Sequence, residues 1–188
     1  MTYLQELTNT RQKQASTMVA GISSKILQIR KESIKQSLSD LNTLDHRQDL
    51  VATIDGVMYY DDSRAENVNA TWFTFENIVK PVVWIAGGQS DESDFKDLHR
   101  VAKKKVRALV CLGDGSDNLK KTFQKDIKDI YEASSMEDAV KAASLLAQED
   151  DIVLFSPACK SSNKKETYVE RGDRFTESVK QLENELRK

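Results

Sequence analysis

The stretch VVWIAGG at residues 82–88 is a run of mostly β-branched apolar residues that ends in two glycines. A short apolar run without alternating polar positions is typical of a strand that is buried on both faces of a sheet. Two similar runs follow, ALVCL at 108–112 and DIVLF at 151–155. Because each interval between the runs is long enough for a helix, the sequence predicts a parallel sheet with right-handed crossovers.

The segments around these runs have the three- and four-residue spacing of amphipathic helices. Upstream, LVATIDGVMYYDD alternates around Asp55-Gly56 and predicts a β-hairpin. Ser134 and Glu137 have the spacing of a capping box at the start of one helix. The expected helices lie at about residues 67–79, 94–105, 116–125, 135–148 and 167–186. The predicted fold class is an open, mostly parallel Rossmann-like α/β sheet with helices on both faces.

The N-terminal part of the chain has a different pattern. Between Met18 and Leu41, apolar residues recur at helical spacing, which predicts two short helices joined near residues 28–31. We therefore expect a short helical segment at 1–44 ahead of an α/β domain at 45–188. The apolar face of this segment either packs on the chain's own sheet, giving a monomer, or pairs with a second copy, giving a homodimer.

Composition excludes several classes of protein. The 188 residues include 28 Lys and Arg against 30 Asp and Glu, so the chain lacks a basic excess and we expect no nucleic-acid partner. No stretch reaches the roughly 20 apolar residues that span a bilayer, and the polar N-terminus is unlike a signal peptide. We expect a cytoplasmic protein with no membrane partner. The 2 cysteines and 2 histidines are scattered, so we expect no metal site.

Polar loops rich in small residues follow four of the expected strands, at residues 61–67, 87–92, 113–116 and 156–161. In open α/β sheets the ligand crevice lies at the carboxyl ends of the strands, so four such loops favour a site there. Loops of this composition also simply end strands and cap helices, so none of them identifies a site alone. Neither G-x-x-x-x-G-K-[ST] nor G-x-G-x-x-G occurs, so the usual phosphate cradles are absent from the sequence.

Three reactive features are interpreted as structural, and no catalytic residue is assigned. Cys159 has no histidine near it in sequence, which favours a buried thiol over a nucleophile. The run Lys103–Lys105 lies at a predicted helix end, where positive charge complements the helix dipole, and is interpreted as a solvated terminus. The lysines at 160, 164 and 165 are interpreted as solubilising, with a lysine nucleophile as the alternative.

Several segments, in their order and spacing, resemble the C-terminal domain of the Mur ligases, and within that family the UDP-N-acetylmuramoyl-L-alanine:D-glutamate ligases (MurD) of peptidoglycan synthesis. They are Asp45-His46-Arg47, residues 60–71, residues 82–88, Ser156-Pro157-Ala158-Cys159 and residues 170–175. The resemblance covers residues 45–188, and residues 12–44 are similar to the end of the family's central ATPase domain. It implies an ATP-dependent amide ligase, with ATP and magnesium, whose central domain forms an acyl phosphate while the C-terminal domain presents D-glutamate.

The resemblance also implies roles for four residues. Arg47 and Asp62 match positions that approach the nucleotide, and Ser161 and Tyr168 match positions that border the D-glutamate pocket. The family's substrate domain and the phosphate-binding part of its central domain have no counterpart in this sequence. We therefore expect no ligase activity from this chain alone.

This chain departs from the family pattern at positions where the resemblance implies functional side chains. Where the family has N-D-S-K-A-T-N, this chain has Asp61, Arg64 and Glu66 in place of Asn, Lys and Thr. Further along the chain, Asp91 and Glu92 stand where the family has a lysine. Because acidic side chains repel a carboxylate, we expect D-glutamate binding to be weakened. Natural divergence explains these changes, as does engineering of a single domain with polar surfaces.

Two functional alternatives remain open. One is a small-molecule binding module with weak affinity for a nucleotide or for D-glutamate through the four matched residues. The other is a structural or self-associating scaffold that uses the N-terminal helices.

Overall fold

The computed structural model describes residues 46–88, 95–161, 163 and 165–187. The predicted helical segment at 1–44 lies outside these residues, so the domain division and the choice between monomer and homodimer stay predictions. The departures at Asp91 and Glu92 also lie outside them, as does Lys164.

A six-stranded sheet with the order β1-β2-β6-β3-β4-β5 forms the centre of the fold. β1 pairs with β2 antiparallel, and all other neighbours are parallel. The three quoted apolar runs form β3, β4 and β6, so the prediction of an open, mostly parallel α/β sheet is confirmed. The strands are β1 (Asp49–Ile54), β2 (Val57–Asp61), β3 (Val82–Ala86), β4 (Val106–Leu112), β5 (Asp129–Ala133) and β6 (Ile152–Phe155).

Helices cover both faces of this sheet. They are α1 (Val68–Asn77), a 3-10 turn (Phe95–Leu98), α2 (His99–Lys105), α3 (Ser116–Phe123), α4 (Met136–Leu146) and α5 (Tyr168–Leu186). Side chains alternate along β3, so Val83 and Ile85 pack against α4 and α5 while Val82 and Trp84 pack against α1 to α3. None of the helices in the described ranges is long and apolar enough to cross a bilayer.

The edge strand β5 was not predicted from the sequence. Three of its residues, Asp129, Tyr131 and Glu132, are exposed, Ile130 is half-buried and Ala133 is buried, and within the described residues the strand pairs with β4 alone. An edge strand with charged side chains lacks the apolar run that marks a central strand. The next helix also begins one residue later than expected, because Ser135 rather than Ser134 is its N-cap and accepts a hydrogen bond from Asp138 N at 3.1 Å.

The basic run at the end of α2 is more than a solvated terminus. Lys105 is half-buried, and its Nζ donates to the carbonyls of Phe75 and Ile78 at 2.5 and 2.7 Å. It therefore stabilises the C-terminal end of α1, where helix carbonyls lack internal partners.

Two glycines close the gap between β3 and its neighbours at the carboxyl edge of the sheet. Gly87, at φ +119°, donates its N–H to Pro157 O at 3.0 Å, and a Cβ there would collide with Leu112 O. Gly88 similarly lies against Lys160 O. Only glycine allows this approach, which brings the loops after β3, β4 and β6 together.

Candidate functional site

Polar side chains, most of them buried, gather at the carboxyl edge of the sheet in two groups. The first, the Arg47–Asp62 cluster, contains Arg47, Asp62, Thr74 and Ser156. The second, the Ser161 cleft, lies beside the start of α5 and contains Ser161, Glu166, Arg171 and Arg174. Both groups lie where open α/β sheets bind their ligands.

Asp62 is the centre of the Arg47–Asp62 cluster. It follows β2 and is fully buried, and its Oδ2 accepts hydrogen bonds from Thr74 Oγ1 at 2.7 Å and from Ser156 Oγ at 2.8 Å. Burial raises the pKa of Asp62 to about 7, although these hydrogen bonds and the charge of Arg47 act in the opposite direction. The carboxyl therefore titrates near neutral pH instead of near pH 4.

Several atoms of this cluster lack partners. Arg47 is only 5% exposed, and its Nε and Nη2 have no hydrogen-bond partner in the described part of the chain. The same holds for Asp62 Oδ1. Because buried polar groups are nearly always hydrogen-bonded in folded proteins, the cluster is chemically incomplete as it stands.

A second aspartate, Asp61, binds His46. His46 Nδ1 lies 2.7 Å from Asp61 Oδ2, and Asp61 Oδ1 accepts the backbone N–H of Ser63 at 2.9 Å. Burial raises the pKa of Asp61, and the hydrogen bond with His46 lowers it in part. Helix α5 packs directly on this pair at Gly172, where a Cβ would lie 2.5 Å from both Asp61 Oδ2 and Ser63 Oγ and closer still to His46 Nδ1.

The Ser161 cleft has a volume of about 170 Å³. Its polar wall includes Ser161, Glu166, Arg171 and Arg174, and Met136 from α4 contributes to its apolar wall. Ser161 Oγ donates to Glu166 Oε2, and Arg174 Nη2 forms an ion pair with Glu166 Oε1. Both oxygens of one internal carboxylate are thus held by a hydroxyl and a guanidinium.

Arg171 connects the cleft with the loop after β2. It is 3% exposed, and its guanidinium donates to Glu66 Oε1 at 3.0 Å and to Cys159 O at 3.3 Å. Burial lowers the pKa of Arg171, and Glu66 opposes this effect. Cys159 is buried, as the sequence analysis expected for a structural thiol.

The four residues singled out by resemblance divide between these groups. Arg47 and Asp62 lie together, and Ser161 lies in the cleft. Tyr168 does not line the cleft: its ring lies 5.0 Å below the Arg64 guanidinium and edge-on to His46 at 6.3 Å. Whether these four residues bind ligands stays a prediction.

Sequence reasoning missed Glu166, Arg171 and Arg174 as site residues. Charged residues at the start of a long amphipathic helix usually belong to its solvent face, and no sequence pattern distinguishes these three. The only available signal was that Arg171 and Arg174 lie within the segment 170–175 that carries the resemblance. Within the described ranges, no group of three His, Cys, Asp or Glu side chains is placed to hold a metal ion.

Comparison with known proteins gives one family. The family described as "Mur ligase, glutamate ligase domain" matches residues 46–159. The chain is 38% identical over 167 residues to the UDP-N-acetylmuramoylalanine–D-glutamate ligase of Salinibacter ruber. The aligned region covers 89% of this chain and 36% of that protein. The ligase of the same name from Christiangramia forsetii is 36% identical, covering 89% of this chain and 38% of that protein. This chain therefore spans little more than a third of the length of these relatives.

Among solved structures, the MurF ligase of Thermotoga maritima aligns with a TM-score of 0.46 at 15% identity, covering 74% of this chain and 32% of that chain.

Proposed function

The chain belongs to the Mur ligase family through its glutamate ligase domain, as the sequence resemblance predicted, and from this premise we propose that it keeps the nucleotide-facing side of that domain and has no ligase activity on its own. Two parts of the carboxyl edge support the two halves of this proposal. The Arg47–Asp62 cluster supports the first half, and the acidic side chains around the Ser161 cleft support the second.

The observation that carries the proposal is the set of unpaired atoms in the Arg47–Asp62 cluster. A buried guanidinium and a buried carboxylate oxygen without partners are unfavourable, so the cluster suits a ligand that supplies both a donor and an acceptor. A ribose hydroxyl can accept from Arg47 and donate to Asp62. These residues fit the ribose side of a nucleotide, which agrees with the roles that the family resemblance implies for them.

The amino-acid side is less suited to D-glutamate. Glu66, where the family has a threonine, pairs with Arg171, and Glu166 already binds Ser161. A free D-glutamate would bring its own carboxylates next to these two acids, and like charges at short range disfavour binding. In the family, ATP supplies the phosphoryl group that activates a carboxylate. This sequence contains neither G-x-x-x-x-G-K-[ST] nor G-x-G-x-x-G, the usual phosphate-binding motifs.

The nucleotide half is tested by titrating the full chain with ATP and following amide ¹H–¹⁵N NMR signals. We expect shifts at Arg47, Asp62 and Thr74, and an affinity about tenfold lower in Arg47→Lys, because lysine cannot reproduce the guanidinium geometry. Arg187→Lys is the matched control, since that arginine is exposed at the end of α5. A chain that shows no response to millimolar ATP contradicts this half.

The ligase half is tested by measuring phosphate release from ATP in the presence of UDP-N-acetylmuramoyl-L-alanine and D-glutamate. The Salinibacter ruber ligase is the positive control. We expect turnover from the control and none from this chain, and any amide product formed by this chain contradicts the proposal.

A further inference from the structure

The edge strand β5 leaves one side of the sheet open. It pairs with β4 along one side, and no strand among the described residues pairs with it along the other. Unpaired N–H and C=O groups on the free side of a strand are a template for pairing with another chain. We propose that this edge is an interaction surface for a second copy of the chain, which pairs β5 with β5 antiparallel across a twofold axis. The inference goes beyond the proposed function and does not depend on it.

The first argument is that β5 is both exposed and preformed. Asp129, Tyr131 and Glu132 are exposed, Tyr131 to 44%. Glu132 forms an ion pair with Lys120 of α3, and the Tyr131 hydroxyl donates to Asp138 of α4 at 3.3 Å. The helices on either side therefore fix the side-chain directions of the strand. A strand that is already ordered loses little conformational entropy when it pairs.

The second argument is the order of charges along this edge, which runs from basic to acidic. Lys125 and Lys128 directly precede the strand, are exposed and form no ion pair among the described residues. At the carboxyl end, Glu132 lines an open depression of about 380 Å³ together with Asp114 and Asp117. Antiparallel pairing places the amino end of each strand against the carboxyl end of the other. It therefore brings the basic end of each copy to the acidic end of its partner.

The third argument is that one register satisfies these charges. When Ile130 lies opposite its own symmetry mate, Lys128 lies opposite Glu132 at two places. The same register sets Asp129 opposite Tyr131, so that no like charges are directly opposite. The next register places Asp129 opposite Glu132, and like charges in that position disfavour pairing. The charges therefore select the register centred on Ile130.

Charged side chains on an edge strand usually protect it from pairing. A strand with charges of one sign repels its own copy in every orientation. In β5, however, Lys128 and Glu132 lie at equal distances on either side of Ile130. Parallel pairing in register would set each of these charges against itself, whereas antiparallel pairing sets each against its opposite. The pattern thus excludes one orientation and favours the other.

The expected dimer is weak. Pairing over a strand of five residues lies at the low end of interface sizes, where complexes are transient. We therefore expect a Kd of about 0.1 mM. β5 lies at the opposite edge of the sheet from β1 and β2, so pairing leaves the Arg47–Asp62 cluster open.

The experiment measures self-association of the full chain by sedimentation equilibrium at concentrations up to about 1 mM. The unmodified chain is compared with Lys128→Glu and with Glu132→Lys, each of which sets like charges opposite each other in the dimer. We expect each substitution to raise the Kd at least about tenfold. Because both residues are exposed, both variants are expected to fold.

Restoring the opposite charges tests the pairing itself. In an equimolar mixture of Lys128→Glu with Glu132→Lys, both contacts again join opposite charges, so we expect a mixed dimer at least as tight as the unmodified one. A double variant that carries both substitutions is expected to regain self-association for the same reason. Lys180→Glu, at an exposed position of α5, is the matched control and is expected to leave the Kd unchanged.

Three results overturn the inference. The first is a chain that stays monomeric at about 1 mM. The second is a dimer whose Kd does not change in Lys128→Glu and Glu132→Lys, since it would form through another surface, such as the predicted helices at 1–44. The third is a loss of association that neither the mixture nor the double variant restores. ATP binding and phosphate release do not involve β5, so their absence would contradict the proposed function alone.

Discussion

The two polar groups at the carboxyl edge of the sheet differ in whether their charges have partners. In the Arg47–Asp62 cluster, two guanidinium nitrogens and one carboxylate oxygen are buried without a partner in the described part of the chain. In the Ser161 cleft, both oxygens of Glu166 are bound by the chain's own side chains. The same edge thus holds one site that needs an outside partner and one that supplies its own.

The difference also predicts where the domain is most sensitive to substitution. Charges in the Arg47–Asp62 cluster are deeply buried and depend on each other, so removing one leaves the other uncompensated. Arg174 in the cleft is largely exposed, so water replaces part of any lost contact there.

The largest effect is expected for Asp62→Ala. The substitution removes the buried acceptor for Thr74 and Ser156 and, above about pH 7, the charge that opposes the Arg47 guanidinium, so at pH 8 we expect a loss of about 3–5 kcal/mol in the free energy of unfolding. Urea unfolding of the full chain measures this loss. Asp114→Ala, at an exposed position, is the control and should have no measurable effect.

Removing the charge of Arg47 instead of that of Asp62 tests the same cluster from the other side. Arg47→Met should destabilise the domain less than Asp62→Ala, because Asp62 can become neutral by binding a proton whereas Arg47 stays charged. Equal losses of unfolding free energy for the two variants would show that protonation of Asp62 does not reduce the cost of burying it.

A second expected effect is a dependence of stability on pH. The pKa of Asp62 is about 7 in the folded chain against an ordinary value of 3.8, so between these values the folded state holds a proton that the unfolded state has lost. Stability from this group is therefore complete below about pH 4 and is lost as the pH rises through about 7. We expect the free energy of unfolding to fall by about 2–4 kcal/mol across this window, relative to Asp62→Asn.

The measurement is a series of urea unfolding curves for the unmodified chain and for Asp62→Asn at each pH. Taking the difference between the two proteins removes the contributions of other acids, such as Asp126, whose pKa is lowered by Lys103 and His99. A difference that does not change between pH 4 and pH 7 contradicts the burial argument.

A third, smaller effect is expected where α5 packs on the His46–Asp61 pair. Gly→Ala in the middle of a helix usually stabilises a protein by about 0.5–1 kcal/mol. At Gly172 the added Cβ would overlap His46, Asp61 and Ser63, so we expect a loss of about 1–3 kcal/mol instead. Thermal unfolding measures the sign, and Glu177→Ala on the exposed side of the same helix is the control. A stabilised Gly172→Ala variant would falsify this packing.

The sequence predicted the strands in which every residue is buried. Runs such as VVWIA and DIVLF have one interpretation because a strand buried on both faces has no polar positions. The strand DIYEA was missed because three of its five side chains are exposed at the edge of the sheet, so that its polar pattern resembles that of a loop. Local apolar pattern thus identifies central strands and fails at the edge, where only pairing with β4 defines the strand.

The site was predictable to a smaller extent. Family resemblance singled out Arg47 and Asp62, which the structure places together, whereas their unpaired atoms could not be read from any motif. Glu166 and Arg174 were missed because their pairing depends on how the loop after β6 enters α5. The Thr167–Glu170 capping box fixes that entry, and Glu166 directly precedes it.

The smallest effect is expected within the Ser161 cleft, and it tests whether this group is self-sufficient. Ser161→Ala removes the donor and Glu166→Ala removes the acceptor of the same hydrogen bond, so we expect a loss of about 1 kcal/mol or more for each variant and a combined loss that is smaller than the sum of the two. A double-mutant cycle by urea unfolding should therefore give a coupling energy of about 1 kcal/mol. The combination of Ser161→Ala with Glu137→Gln, an exposed glutamate on α4, should be additive. If Ser161 and Glu166 were also additive, the cleft would not hold its own carboxylate, and its contrast with the Arg47–Asp62 cluster would disappear.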